Sequence, residues 1–214
     1  MNGSSSVRPL WGFSGRRRIH ASLFNAFTGE FIDRQSIWIK EGGIAYAGPD
    51  PHPGPGEKSE FIDAGGMVLL SGLVEVHTHF VAAGNGTREF ARHLFPGGVT
   101  TVITEAVEFC EFVGKEGLDC VLKGLSPRPI RMYCAFPPMC GLAPPEDIYA
   151  LHGADLAPRL DDPLCLGIGE IYWGNLLLEG CLGDRLGGFV SLALEKGKVV
   201  EGHTAGASVE KLQA

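Results

Sequence analysis

No two of the six cysteines in this 214-residue chain form a C-x-x-C pair. Cys110, Cys120, Cys134, Cys140, Cys165 and Cys181 are scattered through apolar segments. That reads as reduced thiols, not as a disulfide framework or a zinc ribbon. No apolar run reaches the ~20 residues that a membrane span needs. The opening "MNGSSSVRPLWGFSG" lacks the charged start and apolar core of a signal peptide. A basic stripe is missing as well: net charge is −7, and the one basic cluster, Arg16-Arg17-Arg18, reads as a solvated entry to a first strand. These absences argue against nucleic-acid and membrane partners and point to a cytoplasmic protein. Neither G-x-G-x-x-G nor G-x-x-x-x-G-K-[ST] occurs, so nucleotide phosphate binding has no support. There is no G-x-S-x-G elbow, and no H-x-E with P-C-x-x-C of the zinc deaminases.

What is present is an ordinary globular composition, 44% apolar and 20% charged. Residues 1–15 are Gly/Ser-rich and read as a loose tail. Residues 16–66 read as a small β unit. "RIHASLFNAFTGEFIDRQSIWIKEGGIAYAG" has β-branched and aromatic residues interrupted at Thr28-Gly29 and Gly42-Gly43, which predict hairpin turns. "PDPHPGPGEKSE" is a Pro/Gly-rich connection.

From residue 67 onward the pattern changes. Strand-like runs start at Met67, Val99, Ile130, Leu164 and Lys198, an interval of roughly 32 to 34 residues, the size of a βα unit. Helical patterns lie between them. "TREFARHLFPGG" offers Thr87 as N-cap, Leu94 and Phe95 as apolar contacts and Gly97-Gly98 as a stop. "GDRLGGFVSLALEKGK" spaces Leu186, Phe189, Val190 and Leu194 along one helical face. "SVEKLQA" opens a further helix with Ser208 as N-cap. Five βα units over residues 67–214 predict either an open α/β sheet or the N-terminal part of a (β/α)8 barrel, and the latter is favoured because the pattern stops inside a helix. An unfinished barrel edge predicts homo-oligomeric association.

The chemistry gathers at strand ends. In "GLVEVHTHF", residues 72–80, His77 and His79 are two apart and project from one face of a strand, with Glu75 beside them. Glu170 ends the fourth strand in "GIGEI", and His203 ends the fifth in "VEGHT". Barrel enzymes place active-site groups at this end. Three imidazoles and a carboxylate suit a divalent transition metal. Glu105 and Glu108 end the second strand and either reach the same mouth or open the following helix. His93 reads as a surface residue, and His20, His52 and His152 fall in loops or at element ends.

These segments resemble the adenine deaminase family of the amidohydrolase superfamily. "FTGEF", "IWIKEGGIAYAG", "GLVEVHTHF", "EFARHLFPGGVTTVITE", "FVGKEGLDCVLKG", "GIGEI" and "GKVVEGHTAGASVEKLQA" carry the likeness, in order, over about residues 20–214. The resemblance implies an amidohydrolase-type (β/α)8 barrel preceded by a small β-sandwich segment. It implies hydrolysis of adenine to hypoxanthine and ammonia, a step of purine metabolism, with a purine base as the small-molecule partner. The implied cofactor is a binuclear divalent metal, manganese, iron or zinc, which makes hydroxide available near neutral pH. His77 and His79 would hold one ion, His203 the second, and Glu170 would bridge them. Glu108 matches the last residue of the family's D-P-H-E segment and would accept a hydrogen bond from a purine N–H.

The chain also departs from the family. D-P-H-E reads Glu105-Ala106-Val107-Glu108, the "ESS" after H-x-H reads Val81-Ala82-Ala83, and Ser71 and Glu75 replace the usual Pro and Asp. The family's further His of strand six and water-activating Asp of strand eight have no counterpart here, so no catalytic base is assigned within these residues. Two alternatives stay open: an amidohydrolase acting on a cyclic amide or another amine, and a non-catalytic remnant.

Overall fold

A computed structural model describes residues 16–49, 60–80, 86–105, 107–125, 130–138, 151–177 and 179–213. The expected N-terminal tail, most of the Pro/Gly-rich connection, His52, Cys140 and the segment 81–83 lie outside them. The chain forms two compact units, Met1–Ser71 and Gly72–Ala214.

In the first unit, strands β1 (Arg16–Asn25), β2 (Glu30–Lys40), β3 (Gly43–Pro49) and β4 (Glu60–Leu69) make one sheet in the order β3-β2-β1-β4. β1–β2 and β2–β3 are antiparallel hairpins, and β4 runs parallel to β1. The tight turn joining β2 to β3 is Glu41-Gly42, one residue earlier than the sequence suggests. Both residues have positive φ, 52° and 76°, the signature of the two-residue turn whose twist matches a hairpin. The arginine triplet opens β1, as expected, but its last member is not solvated. Arg18 is buried, its guanidinium carbon 4.5 Å from the centroid of the Trp38 ring. His20 lies within β1 opposite Ser36, not in a loop.

The second unit carries a five-stranded parallel sheet in the order β5-β6-β7-β8-β9. The chain runs β5 (Leu73–Thr78), α1 (Thr87–Leu94), β6 (Val99–Glu105), α2 (Val107–Val113), α3 (Lys115–Gly124), β7 (Arg131–Phe136), α4 (Gly153–Leu160), β8 (Cys165–Tyr172), α5 (Cys181–Glu195), β9 (Val199–His203), α6 (Val209–Gln213). These are five successive βα units, the repeating element of a (β/α)8 barrel. The apolar run from Met67 serves both units: Met67 to Leu69 finish β4, and β5 begins at Leu73.

Alternation along the strands separates two faces. Val102, Met132, Cys134, Phe136 and Ile168 point to the helices, where they bury Leu118 and Val121 of α3, Leu156 and Leu160 of α4, and Leu186 and Phe189 of α5. Each such side chain contributes ~1.5–3 kcal/mol by leaving water. On the other face Ile103, Ala135 and Val199 line an apolar recess of about 230 Å3 that His77 and Glu201 also border.

Three local expectations need correction. Thr87 is the first helical residue of α1 and does not cap it; its hydroxyl donates instead to the Gly124 carbonyl, 3.1 Å away. Phe95 starts a short 3-10 turn and is half exposed, and Leu194 is exposed because it falls off the buried stripe of α5. Ser208 does accept the Lys211 N–H at the start of α6. Cys110, Cys120, Cys134 and Cys165 are free thiols. Among the described residues no helix is long and apolar enough to cross a membrane.

Candidate functional site

The C-terminal ends of β5, β6, β8 and β9 bring together seven chemically active side chains. His77 sits at the end of β5 and His79 just beyond it. The Thr104 hydroxyl donates to the Thr78 carbonyl at 3.0 Å, which ties this strand end to β6. The two imidazoles stand nearly edge to face, with centroids 5.3 Å apart. His203, the last residue of β9, packs its ring 5.5 Å from that of His77.

All three rings face one oxygen. Glu170 Oε1 lies 3.1 Å from His79 Nε2, 3.6 Å from His203 Nε2 and 3.7 Å from His77 Nε2. Ligands ~2.1 Å from one tetrahedral ion stand ~3.4 Å from each other; the donor atoms of His77, His79 and Glu170, all within 4.8 Å of one another, are compatible with one shared centre, and His203 approaches the same carboxylate. His77, His79 and Glu170 form a group able to hold a metal ion, as do His77, Glu105 and Glu201. Nitrogen donors with a hard carboxylate fit zinc, iron or manganese.

Glu170 reaches this position through its backbone. Gly167 and Gly169 belong to the recess side of β8, so simple alternation would send Glu170 toward the helices with Ile168. Its φ of 58° breaks the alternation, and the β8–β9 register shifts between Ile168 and Ile171. The carboxylate then joins the histidines while Ile171 returns to the core. A non-glycine residue in this region is uncommon and costs ~1–3 kcal/mol, so such strain collects where function demands it.

Three further acids surround the group. Glu108, in the first turn of α2, sets Oε1 3.2 Å from His79 Nδ1, while its buried Oε2 has no hydrogen-bond partner among the described residues. Glu201 Oε1 accepts the backbone N–H of Glu170 at 3.0 Å, and its Oε2 is 3.9 Å from His77 Nδ1. Glu105 ends β6, fully buried, 3.7 Å from His77 Nδ1. Burial foremost, then contact with Glu201 and the charges of Glu201 and Glu170, pushes its carboxyl up to about 9. Ionised, it has no hydrogen-bond donor among the described residues; protonated, it has Glu201 to donate to. Gly169 makes room for this acid pair. A Cβ there would run into Glu201 Oε1 and both oxygens of Glu105.

Of the residues anticipated from sequence, His77, His79, Glu170, His203 and Glu108 are brought together. Glu105 reaches the mouth as β6 ends and does not open a helix. Glu75 sends its carboxylate to the His77 backbone N–H at 3.2 Å. His93 is exposed on α1, and His152 caps α4. Two residues went unnoticed. Tyr172 lays its ring 4.9 Å from that of His203. Glu201 was signalled by its spacing, two before His203 on the same strand face.

No family model matches the chain. Among curated proteins it is 30% identical over 183 residues to the adenine deaminase of Ruegeria sp. (strain TM1040), covering 85% of this chain and 30% of that protein. It is 29% identical over 196 residues to adenine deaminase 2 of Carboxydothermus hydrogenoformans, covering 91% and 32%. The chain thus spans about a third of the length of these relatives. Among solved structures it resembles the β-aspartyl dipeptidase of Fervidobacterium islandicum (TM-score 0.62, 19% identity, 94% of this chain and 54% of that one). It also resembles the L-hydantoinase of Arthrobacter aurescens (TM-score 0.61, 16% identity, 88% and 40%). Sequence and fold point the same way: most of this chain is similar to about a third of the length of adenine deaminases, and its fold is shared with these barrel hydrolases.

Proposed function

We propose that this chain carries the metal-ligating half of an adenine deaminase-like active site, acting on adenine and water to give hypoxanthine and ammonia. The observation that carries the reading is the convergence of His77, His79 and His203 on the Glu170 carboxylate. A divalent ion bound there supplies Lewis acidity and lowers the pKa of water. His77 and His79 would hold one ion, His203 a second, and Glu170 would lie between them.

The protein's own groups supply the rest. Glu108 orients His79 through one carboxylate oxygen. Its other oxygen is buried and has no partner among the described residues, which suits acceptance of a purine N–H. The apolar recess on the same face of the sheet lies beside His77 and Glu201 and offers room for a flat apolar ring. Tyr172 adds a flat aromatic wall beside His203.

Metal analysis of the purified 214-residue chain and of His79→Ala tests the ligand set. Bound divalent metal in the first and a clear loss in the second are expected. Equal metal content in both would sink it. Ammonia release from adenine, set against hydrolysis of cyclic amides, tests the substrate. Turnover of a cyclic amide with none of adenine would move the protein to another branch of the superfamily.

A further inference from the structure

We infer that Glu201 is a positioning residue that pre-sets two of the metal ligands from a third strand. This rests on the ligand set above. Glu201 projects from β9, whereas the two ligands it touches come from β8 and β5. Its Oε1 accepts the N–H of Glu170 at 3.0 Å. That N–H belongs to the residue whose backbone is turned to φ 58°, so the bond falls on the reversal that aims the Glu170 carboxylate at the imidazoles. The same carboxylate presents Oε2 to His77 Nδ1 at 3.9 Å. That is a charge contact rather than a hydrogen bond. With Glu105 at 3.7 Å it places two carboxylates on the Nδ1 side of the ring, so that Nε2 is the nitrogen turned to Glu170.

Two neighbours fix Glu201 in this role. Glu105 stands behind it, fully buried, with both oxygens lacking a donor among the described residues. Gly169 gives up its side-chain volume to the pair. Sheet packing alone would fill that space with apolar atoms. Instead β6 and β9 fill it with two carboxylates, both directed at the ring of His77, and β8 gives way with a glycine. Groups that orient ligands typically contribute ~10–100-fold to metal affinity.

The experiment is a Co(II) titration of chelator-stripped chain, followed by the visible absorption of the bound ion. It compares wild type, Glu201→Ala, Glu201→Gln and Gly169→Ala. Thermal unfolding of each metal-free protein is recorded alongside. Glu201→Ala is expected to bind ~10–100-fold more weakly with an altered band shape and an unchanged unfolding midpoint. Glu201→Gln keeps one carbonyl acceptor and should fall between. Gly169→Ala leaves every acid in place yet pushes Glu201 aside, so it should weaken binding as Glu201→Ala does. Wild-type affinity in both alanine variants overturns the positioning role while leaving the ligand set intact. Affinity losses that track lowered unfolding midpoints in all three variants also overturn it and assign Glu201 to the fold. No binding by wild type overturns the ligand set and this inference together.

Discussion

The two units of the chain bury their apolar residues very differently. Among the described residues of the four-stranded sheet the buried apolar side chains are Ala21 and Ile37, while Phe31, Ile44, Phe61 and Met67 are exposed. In the parallel unit a continuous cluster runs from Phe80 to Ala193 and is fully buried at many positions. The titratable groups that converge belong to the second unit. A polar centre of three imidazoles and four acids needs a rigid frame, because a buried carboxylate such as Glu105 or Glu170 costs more than it contributes when it is misplaced. The frame here is the helix-side core, and the strand ends project from it.

The contrast can be tested in steps of falling size. Leu118→Ala, at a fully buried position of α3, should destabilise the protein by ~2–5 kcal/mol in a denaturant melt. A loss under ~1 kcal/mol would mean that this core is loose. Glu170→Ala should weaken divalent-metal binding by more than ~100-fold, since a direct ligand exceeds the effect of groups that only orient one. Calorimetric titration reads it, and unchanged affinity would remove Glu170 from the centre.

The Arg159–Asp119 pair joins α4 to α3 through two contacts of 2.9 and 2.8 Å. It is partly exposed, so Arg159→Ala should cost ~1 kcal/mol at low salt and less at high salt. Phe31→Ser, on the exposed face of the first sheet, should change stability by no more than ~0.5 kcal/mol. A large loss there would show that this face is covered in solution.

A pH series sharpens the comparison from another side. Glu105 holds its proton up to about 9 in the folded protein, against 4.5 for an ordinary glutamate. Below 4.5 the group is protonated whether folded or not and has no effect. As pH rises from 4.5 toward 9 the unfolded chain releases the proton first, so the metal-free protein loses stability across that window. Glu105→Gln should flatten the slope, as read from unfolding midpoints in chelator. A slope identical to wild type would place the proton elsewhere.

Much of this organisation is legible in the sequence, and the reasons are local. β6 to β9 begin within a residue of their expected starts, because a buried parallel strand is a continuous apolar run bounded by glycine or a charged residue. His77, His79, Glu170 and His203 stand out because each falls where such a run stops. What escaped depends on neighbours distant in sequence. Arg18 packs on Trp38 across a strand pair, so its burial is invisible in a triplet of arginines. Glu201 gains meaning only when β9 lies beside β8. The division of the run from Met67 between two sheets is equally non-local, since its apolar residues suit either.

The left-handed backbone at Glu170 also limits how this position can drift. Glycine, asparagine and aspartate tolerate φ near +58°, whereas β-branched residues resist it. A descendant freed from selection for metal would therefore be expected to fill position 170 with glycine or asparagine, not with the valine or isoleucine that a buried strand otherwise attracts. Carboxylate, amide or no side chain at this one site would then record whether a related chain still keeps its chemistry.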